Sequence, residues 1–400
     1  MRRFLIIVAK LIAGTVLIVF AVCFISSVSP VYHFGKPHGF EGPDIFNPYA
    51  GLDTALGWKR ANFHTHTKVT GIFNECDFWP DEVLGRYEDF GYDIVTFSNH
   101  NKLTEHPSDA SLQVNVYEHG YNLFKFHKLV FGCSDVMRFD HLLPFFAFQR
   151  QFQLDLLAKD ADFIQLNHPF RTNFTSRRIM ERLSGYRIVE LDSGITTENE
   201  YWDWALSAGH YSFGLANDDL HFPDRSERFA VRCNWLNTNS AGYADIKKTL
   251  MSGTYYSMRV PDFGNGDWKV KREKNLSLPA IENIGVASDT VFIVLDRPAR
   301  QIKAFGQNHA VLDSLSCADR MECILGPDEP YLRFTACFDD GTVIYANPFA
   351  RYDSSVSDSP YKDTEHLVNV PLTIMFNVLM AGLAAVCIFL LMKLFKKELI

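Results

Sequence analysis

The sequence predicts a mixed α/β fold with a strand–loop–helix barrel over residues 58–260 at its centre, and three observations carry this reading. Short apolar strands alternate with helical patterns through that span, as they do when parallel strands close around a core. Polar clusters rich in histidine fall where each strand gives way to a loop, which in such barrels is the catalytic rim. Past residue 262 the rhythm stops, and short alternating strands separated by turns such as Asp339-Asp340-Gly341 predict a small β-sandwich over 263–350. A doubly wound open sheet shares the rhythm, but it gathers its ligands at one switch point instead of around a ring.

Taken in order, the chain begins with an apolar run over residues 4–28, preceded by Arg2 and Arg3 and interrupted by Lys10. A second run over 370–392 is followed by Lys393, Lys396 and Lys397. Each is long enough for a hydrocarbon core of about 30 Å, in preference to a buried core helix. Basic residues at both extremes put both termini in the cytoplasm and the main domain outside it, in a periplasm or at a cell surface. The first run also has the form of a cleavable signal peptide, with small residues at Ser26–Ser29. The C-terminal helix anchors the chain in either case.

Residues 30–57 carry Pro30, Pro37, Pro43 and Pro48 and read as a linker. A strand then ends in His64 and His66. Pro80-Asp81-Glu82 opens a helix with an apolar face of Val83, Leu84, Tyr87 and Phe90, and Gly91 stops it. Residues 93–98 form a strand ending at Asn99-His100-Asn101, and residues 128–132 form one followed by Ser134-Asp135. A helical pattern spans Phe145 to Lys159, and the strand 162–166 leads into Asn167-His168-Pro169. The strand 187–191 ends at Asp192, and a helix with Tyr201, Trp202 and Leu206 follows. The strand 212–216 leads to Asn217-Asp218-Asp219-Leu220-His221, and residues 351–368 link the sandwich to the last helix.

Composition narrows the classes. A net charge of −8 gives no basic surface for nucleic acid. Hydrophobic content of 47% with 34 Phe supplies a large core or an aromatic-lined cleft. Six of the eight cysteines lie in the exported part, where disulfides persist; Cys317 and Cys323 are near enough in sequence to close a small loop. Cys76 and Cys133 read as buried or disulfide-bonded thiols in preference to ligands.

His64 and His66 share one strand face, because side chains at i and i+2 point the same way. One H-x-H is a weak motif. Here His100, His141, His168 and His221 follow at other strand ends, with Asp135 and Asp219 and with Asp77 or its rival Glu75 in the loop after His66. Mixed histidine and carboxylate sets suit zinc, manganese and iron.

In that order, from H-x-H through N-H, an acid, H and N-H-P to D-x-H, residues 58–260 resemble the PHP (polymerase and histidinol phosphatase) superfamily. The resemblance implies a distorted seven-stranded TIM-like barrel, two or three divalent ions (Mn, Zn or Fe), and phosphomonoester or phosphodiester hydrolysis by a metal-bridging hydroxide. It implies His64, His66, Asp77, His100, Asp135, His141, His168, Asp219 and His221 as metal ligands. Asp135, Asp219 and His168 carry the catalytic roles. Asp135 falls where the family has a bridging glutamate and is one methylene shorter. The loop after His66 runs Lys68-Val69-Thr70-Gly71 where the family carries Ser-Asp-Gly.

Arg171 and Arg138 are candidates to clamp a phosphate, since a guanidinium binds two oxygens at once; a surface salt bridge is the plain alternative for each. The partners expected are a small phosphorylated substrate and the membrane. A metal hydrolase of another ester or carbamate bond and a non-catalytic metal-binding sensor are the alternatives, and a surface or adhesion protein without metal leaves the ordered histidines unexplained.

Overall fold

The computed structural model describes residues 1–71, 74–172, 174–193, 200–362 and 366–396, with Arg2 and Arg3 described by backbone alone. Lys397, on which part of the orientation argument rests, lies outside these residues, as do the side chains of Arg2 and Arg3. In chain order the first half comprises α1 (Arg2–Ser26), β1 (Tyr32–His33), β2 (Asp44–Phe46), β3 (Lys59–Asn62), α2 (Pro80–Asp89), β4 (Ile94–Val95), β5 (Val116–His119), β6 (Lys128–Phe131), α3 (Ala147–Leu157), β7 (Phe163–Leu166), α4 (Arg177–Met180) and β8 (Ile188–Asp192). The second half comprises α5 (Tyr201–Ser207), β9 (Phe213–Ala216), β10 (Arg232–Leu236), α6 (Tyr243–Ser252), β11 (Tyr255–Arg259), α7 (Trp268–Asn275), β12 (Ile281–Ala287), β13 (Thr290–Gly306), β14 (Ala310–Ile324), β15 (Tyr331–Cys337), β16 (Val343–Ala346), β17 (Phe349–Tyr352), β18 (Leu367–Val368) and α8 (Val370–Phe395).

Local chemistry explains the helix that the sequence marks most clearly. In α2, Pro80 needs no amide partner in the first turn, and the Glu82 carboxylate accepts from the Trp79 amide at 2.7 Å. Val83, Leu84 and Tyr87 are buried, and Gly91 follows with a φ of +76°. That left-handed turn favours glycine and ends the helix.

The fold is mixed α/β. Five strands run in the order β5-β6-β7-β8-β9, and an eleven-stranded sheet contains β3 and β4 beside β10, β11 and β16. Two isolated parallel bridges, Thr65↔Leu220 and His100↔Glu118, link residues flanking the two sheets. Among the described residues the ladders leave two sheets joined by these bridges and do not make the single parallel ladder expected from the sequence. The strands are not all parallel either: β6 runs antiparallel to both β5 and β7, while β7, β8 and β9 are parallel. The strand β5 was not anticipated, and it is this extra strand that reverses the direction of β6. An antiparallel pair needs only a short connection, here residues 120–127, where a parallel pair needs a crossover.

The C-terminal strands, expected as a separate sandwich, hydrogen-bond through β16 and β11 into the sheet that holds β3. One long hairpin, β13–β14, projects from it, with β14 largely exposed. Cys317 and Cys323 both lie on β14, so six residues of extended chain hold them roughly 20 Å apart. That is far beyond the reach of a disulfide. All eight cysteines are free thiols.

Two hydrophobic clusters fill the body. One contains Phe63, Leu129, Phe131, Ile164 and Leu215; the other packs Tyr87, Phe229 and Met258 against Ile293 and Phe334. The helix α5 is fastened to β15 by Asp203, whose buried carboxylate accepts from Arg333 at 2.5 and 2.9 Å and from the Tyr331 hydroxyl at 2.8 Å.

The helices α1 and α8 pack on each other, and each is long and apolar enough to cross a membrane. At their inner ends β1 pairs with β18 (Tyr32↔Val368), and the amides of Ser29 and Val31 donate to Asn377 and Thr373 of α8 at 3.1 and 2.9 Å.

Candidate metal centre

Strand direction decides which residues meet. The residues that follow β3, β4, β7 and β9 and the end of β5 lie at one rim; because β6 is reversed, its N-terminal end joins them. The rim therefore holds His64, His66, His100, Glu118, His127, His168, Asp219 and His221, with Glu75 reaching in from the loop before α2. His64, His66, Glu118, His168 and Asp219 are essentially fully buried.

Glu118 is the centre of the arrangement. Its Oε1 lies 3.3 Å from His64 Nε2, 3.0 Å from His127 Nδ1 and 3.3 Å from His168 Nε2. Its Oε2 lies 3.2 Å from His66 Nε2 and 3.0 Å from His100 Nε2. The two oxygens of one carboxylate thus face two different sets of imidazoles. Asp219 Oδ1 completes the inner group, 3.2 Å from His64 Nε2 and 3.4 Å from His66 Nε2. Glu75 stands 3.3 Å from His66 Nδ1 and 3.6 Å from His100 Nε2.

These spacings fit metal ions. Two donors each about 2.1 Å from a tetrahedral ion sit roughly 3.4 Å apart. Among the buried atoms that lack a hydrogen-bond partner are His64 Nε2, both ring nitrogens of His66, His168 Nδ1 and Asp219 Oδ1. Buried polar groups are seldom left so, and a cluster of them aimed inward calls for a ligand. Of three donor sets, His64–His66–Glu118–Asp219 shares His66 with His66–Glu75–His221 and Glu118 with His100–Glu118–His127.

A second layer holds the first. Glu190 of β8 takes His64 Nδ1 at 2.9 Å and the His168 amide at 2.8 Å, which leaves His64 Nε2 for the centre. Asn167 donates to Glu118 Oε1 at 2.9 Å. Asp218 has a different task from its neighbour: its carboxylate accepts from the amides of Ala230, Val231 and Arg232 and from the Tyr87 hydroxyl. Asp219 is thereby turned inward with a φ of +48°, and His168 has a φ of +28°. Such left-handed, non-glycine backbone costs on the order of 1–3 kcal/mol each and clusters at functional sites.

The charges are strongly coupled. Burial alone would lower the His64 and His66 pKa values. The carboxylates of Asp219, Glu118 and Glu190 outweigh it at His64 and hold it well above the usual range, while Asp219 and Glu118 raise His66 to about 9. Burial works against ionised Glu118 and Asp219 too, yet the surrounding imidazoles keep both well below the ordinary carboxylate range. Burial dominates at His127 and lowers it to about 3.

Several residues anticipated for the site lie elsewhere. Asp135 follows β6 at its C-terminal end, the end opposite the rim; it is exposed, and its carboxylate accepts from the Val136 amide at 2.6 Å. Glu118 stands among the histidines where Asp135 was expected. His141 donates its Nδ1 proton to the Ser26 carbonyl at the end of α1, and His127 stands in the cluster where His141 was expected. Asp77 is exposed beyond the loop, which is pinned where the Lys68 amide meets the Phe78 carbonyl at 2.6 Å, and Glu75 reaches the histidines. Arg138 is exposed on the loop after β6. Arg171 does reach the rim and meets Asp219 Oδ2 at 2.7 Å. Glu118 and His127 fit the same histidine–acid–histidine order as the pair chosen from sequence. The signal for them was Glu118 at the end of the apolar run Val116-Tyr117.

No family model matches the chain, and no curated protein matches it. Among solved structures, it is similar to a crystal structure of a two-domain protein from Bacteroides vulgatus containing a predicted PHP-like metal-dependent phosphoesterase. The match covers 79% of this chain and 100% of that one, at 15% identity and a TM-score of 0.38. At that level the likeness carries no weight beside the geometry.

Several buried donor atoms of the site have no hydrogen-bond partner in the protein. Divalent metal at about a hundred times its Kd is expected to stabilise the fold by about 2.7 kcal/mol. EDTA should therefore lower the Tm and excess Mn²⁺ or Zn²⁺ restore it. A Tm indifferent to both would remove the metal centre.

Proposed function

We propose that the chain is a membrane-anchored, metal-dependent phosphoesterase that hydrolyses phosphomonoesters or phosphodiesters. The observation that carries it is Glu118, whose two oxygens address two imidazole sets as a carboxylate shared by two ions does. Its place in the histidine order that resembles the PHP superfamily supports a distorted seven-stranded barrel and two or three ions of Mn, Zn or Fe. The apolar helices α1 and α8 support anchoring by two spans, with both termini cytoplasmic and the body on the other side.

Divalent ions, when bound, acidify water and neutralise charge on phosphoryl oxygens. The protein's own groups do the rest. Glu118 and Asp219 fix the spacing of the donors, and Glu190 holds the His64 tautomer. Arg171, partly exposed at the mouth beside Asp219, presents a planar fork to a phosphoryl group. The rim is polar and buried on its inner side, which keeps bulk water from the donors.

The test is hydrolysis of p-nitrophenyl phosphate, bis-p-nitrophenyl phosphate and p-nitrophenyl acetate by the full chain with added Mn²⁺ or Zn²⁺, together with a count of ions per chain. Turnover of either phosphate ester with two or three ions is the expected result. Release from the acetate alone would make it a hydrolase of another ester or carbamate bond. Bound metal without turnover would make it a sensor.

A further inference from the structure

A short run of contacts joins the metal centre to the end of α1. The metal-cluster residue His100 has its ring 5.1 Å from that of Tyr121, whose hydroxyl donates to the His100 carbonyl at 3.3 Å. The Tyr121 amide donates to Asp140 at 2.8 Å, and the next residue, His141, bonds the Ser26 carbonyl that ends α1. Gln149 of α3 donates to the Ser27 carbonyl at 3.2 Å. Few side chains therefore separate the centre from the foot of α1.

A chain of aromatic rings covers the same distance. Phe376 in the second turn of α8 lies 5.1 Å from Phe148, which is stacked 5.1 Å from Phe146. The neighbouring Phe145 is 4.7 Å from Phe124, and Phe124 stacks on Phe174 at 3.9 Å. Thr172, the residue after Arg171, donates to the Phe124 carbonyl at 2.9 Å. Leu123, Phe145, Phe146 and Phe174 are each at least half exposed, Leu123 by 65%. Single exposed apolar side chains need no explanation, but a continuous patch that joins two apolar helices to a polar site does. Aromatic side chains with one face bare are the usual contact of a protein with the interfacial layer of a bilayer.

We infer that the substrate of this centre is a membrane-borne phosphoester, a phospholipid of the bilayer that α1 and α8 span, whose headgroup enters beside Arg171 while Leu123, Phe145, Phe146 and Phe174 sit in the interface. The inference rests on the phosphoesterase reading above. The occupant is a lipid because the patch is continuous with the helices at Phe376, so the surface that meets the aromatic rings is the one the helices enter. In the reaction the oxygen of water bonds to phosphorus, the P–O bond to the lipid alcohol or headgroup breaks, and the proton of water ends on the released alcohol oxygen.

The experiment uses the full chain in proteoliposomes of dioleoyl phosphatidylcholine containing dioleoyl phosphatidate or phosphatidylglycerol, beside soluble p-nitrophenyl phosphate and bis-p-nitrophenyl phosphate, all with Mn²⁺. Turnover of the vesicle lipid is expected. The pair Leu123→Ser, Phe145→Ser should reduce it about tenfold and leave the soluble esters unchanged, because only the interfacial contact is weakened. Hydrolysis of a soluble ester with no vesicle turnover overturns the inference alone. Equal vesicle turnover in the wild type and the pair also overturns it. No turnover of any substrate by metal-loaded protein removes the phosphoesterase reading and this inference with it.

Discussion

Glu118→Gln is expected to cut hydrolysis by more than about a hundredfold and to lower the number of bound ions, whereas Asp135→Asn stays within about twofold of wild type. The amide keeps the shape of the side chain but offers one oxygen and one NH₂, so it cannot turn an acceptor toward both imidazole sets. The His100 side, 3.0 Å from Oε2, or the His127 side, 3.0 Å from Oε1, would then face a donor. Even altering a group behind the ligands commonly costs ten- to a hundredfold, so a shared ligand should cost at least the upper figure. Asp135, exposed at the far end of β6, has no path to the donors. Steady-state hydrolysis and ion counting on both variants decide it. An inactive Asp135→Asn beside an active Glu118→Gln would return the bridging role to Asp135.

The largest effect on stability is expected from Asp203→Asn, about 3–5 kcal/mol, because it breaks the buried ion pair that Asp203 makes with Arg333 at 2.5 Å. Burial alone would raise the Asp203 pKa. The guanidinium of Arg333 outweighs it, and the carboxyl falls from its ordinary 3.8 to about 2. The folded value lies below the unfolded one, so the carboxylate adds about 2 kcal/mol that is present in full above roughly pH 4. This contribution fades as the pH falls through about 2. Thermal unfolding of the wild type and the variant from pH 7 to pH 2 should show their Tm values converging as acid is added. A constant gap across that range would place the cost elsewhere.

Much of the rim is legible in the sequence, and the misplacing of Asp135 and of His141 has one shared cause. His64, His66, His100, His168, Asp219 and His221 meet at the rim because each follows a strand whose direction is legible in the sequence. The strand β5 was overlooked, since Val116-Tyr117-Glu118-His119 is short and carries two polar residues. Without it, β6 reads as parallel, its C-terminal end reads as the rim, and Asp135 with the later His141 reads as the acid–histidine pair. One missed strand thus exchanged both ends of its neighbour. Glu190 was invisible for another reason: its role is to hold His64 at 2.9 Å, and spacing in sequence carries no trace of that partnership. The continuity of β11 with β16 was equally hidden, because alternating apolar patterns give strands without giving their neighbours.

The pairing of Tyr32 with Val368 has a consequence for the order of folding. It joins the first strand to the last, and the amides of Ser29 and Val31 donate to Asn377 and Thr373 of α8. During synthesis the body, from β3 to β17, can form while β1 still has no partner. The N-terminal helix, held at its foot by His141 and Gln149, then lacks α8 until residues 370–395 have been made, and docking of α8 on α1 is the closing event. Contacts of such separation carry the greatest loop-closure cost, so this joint should be the last to form.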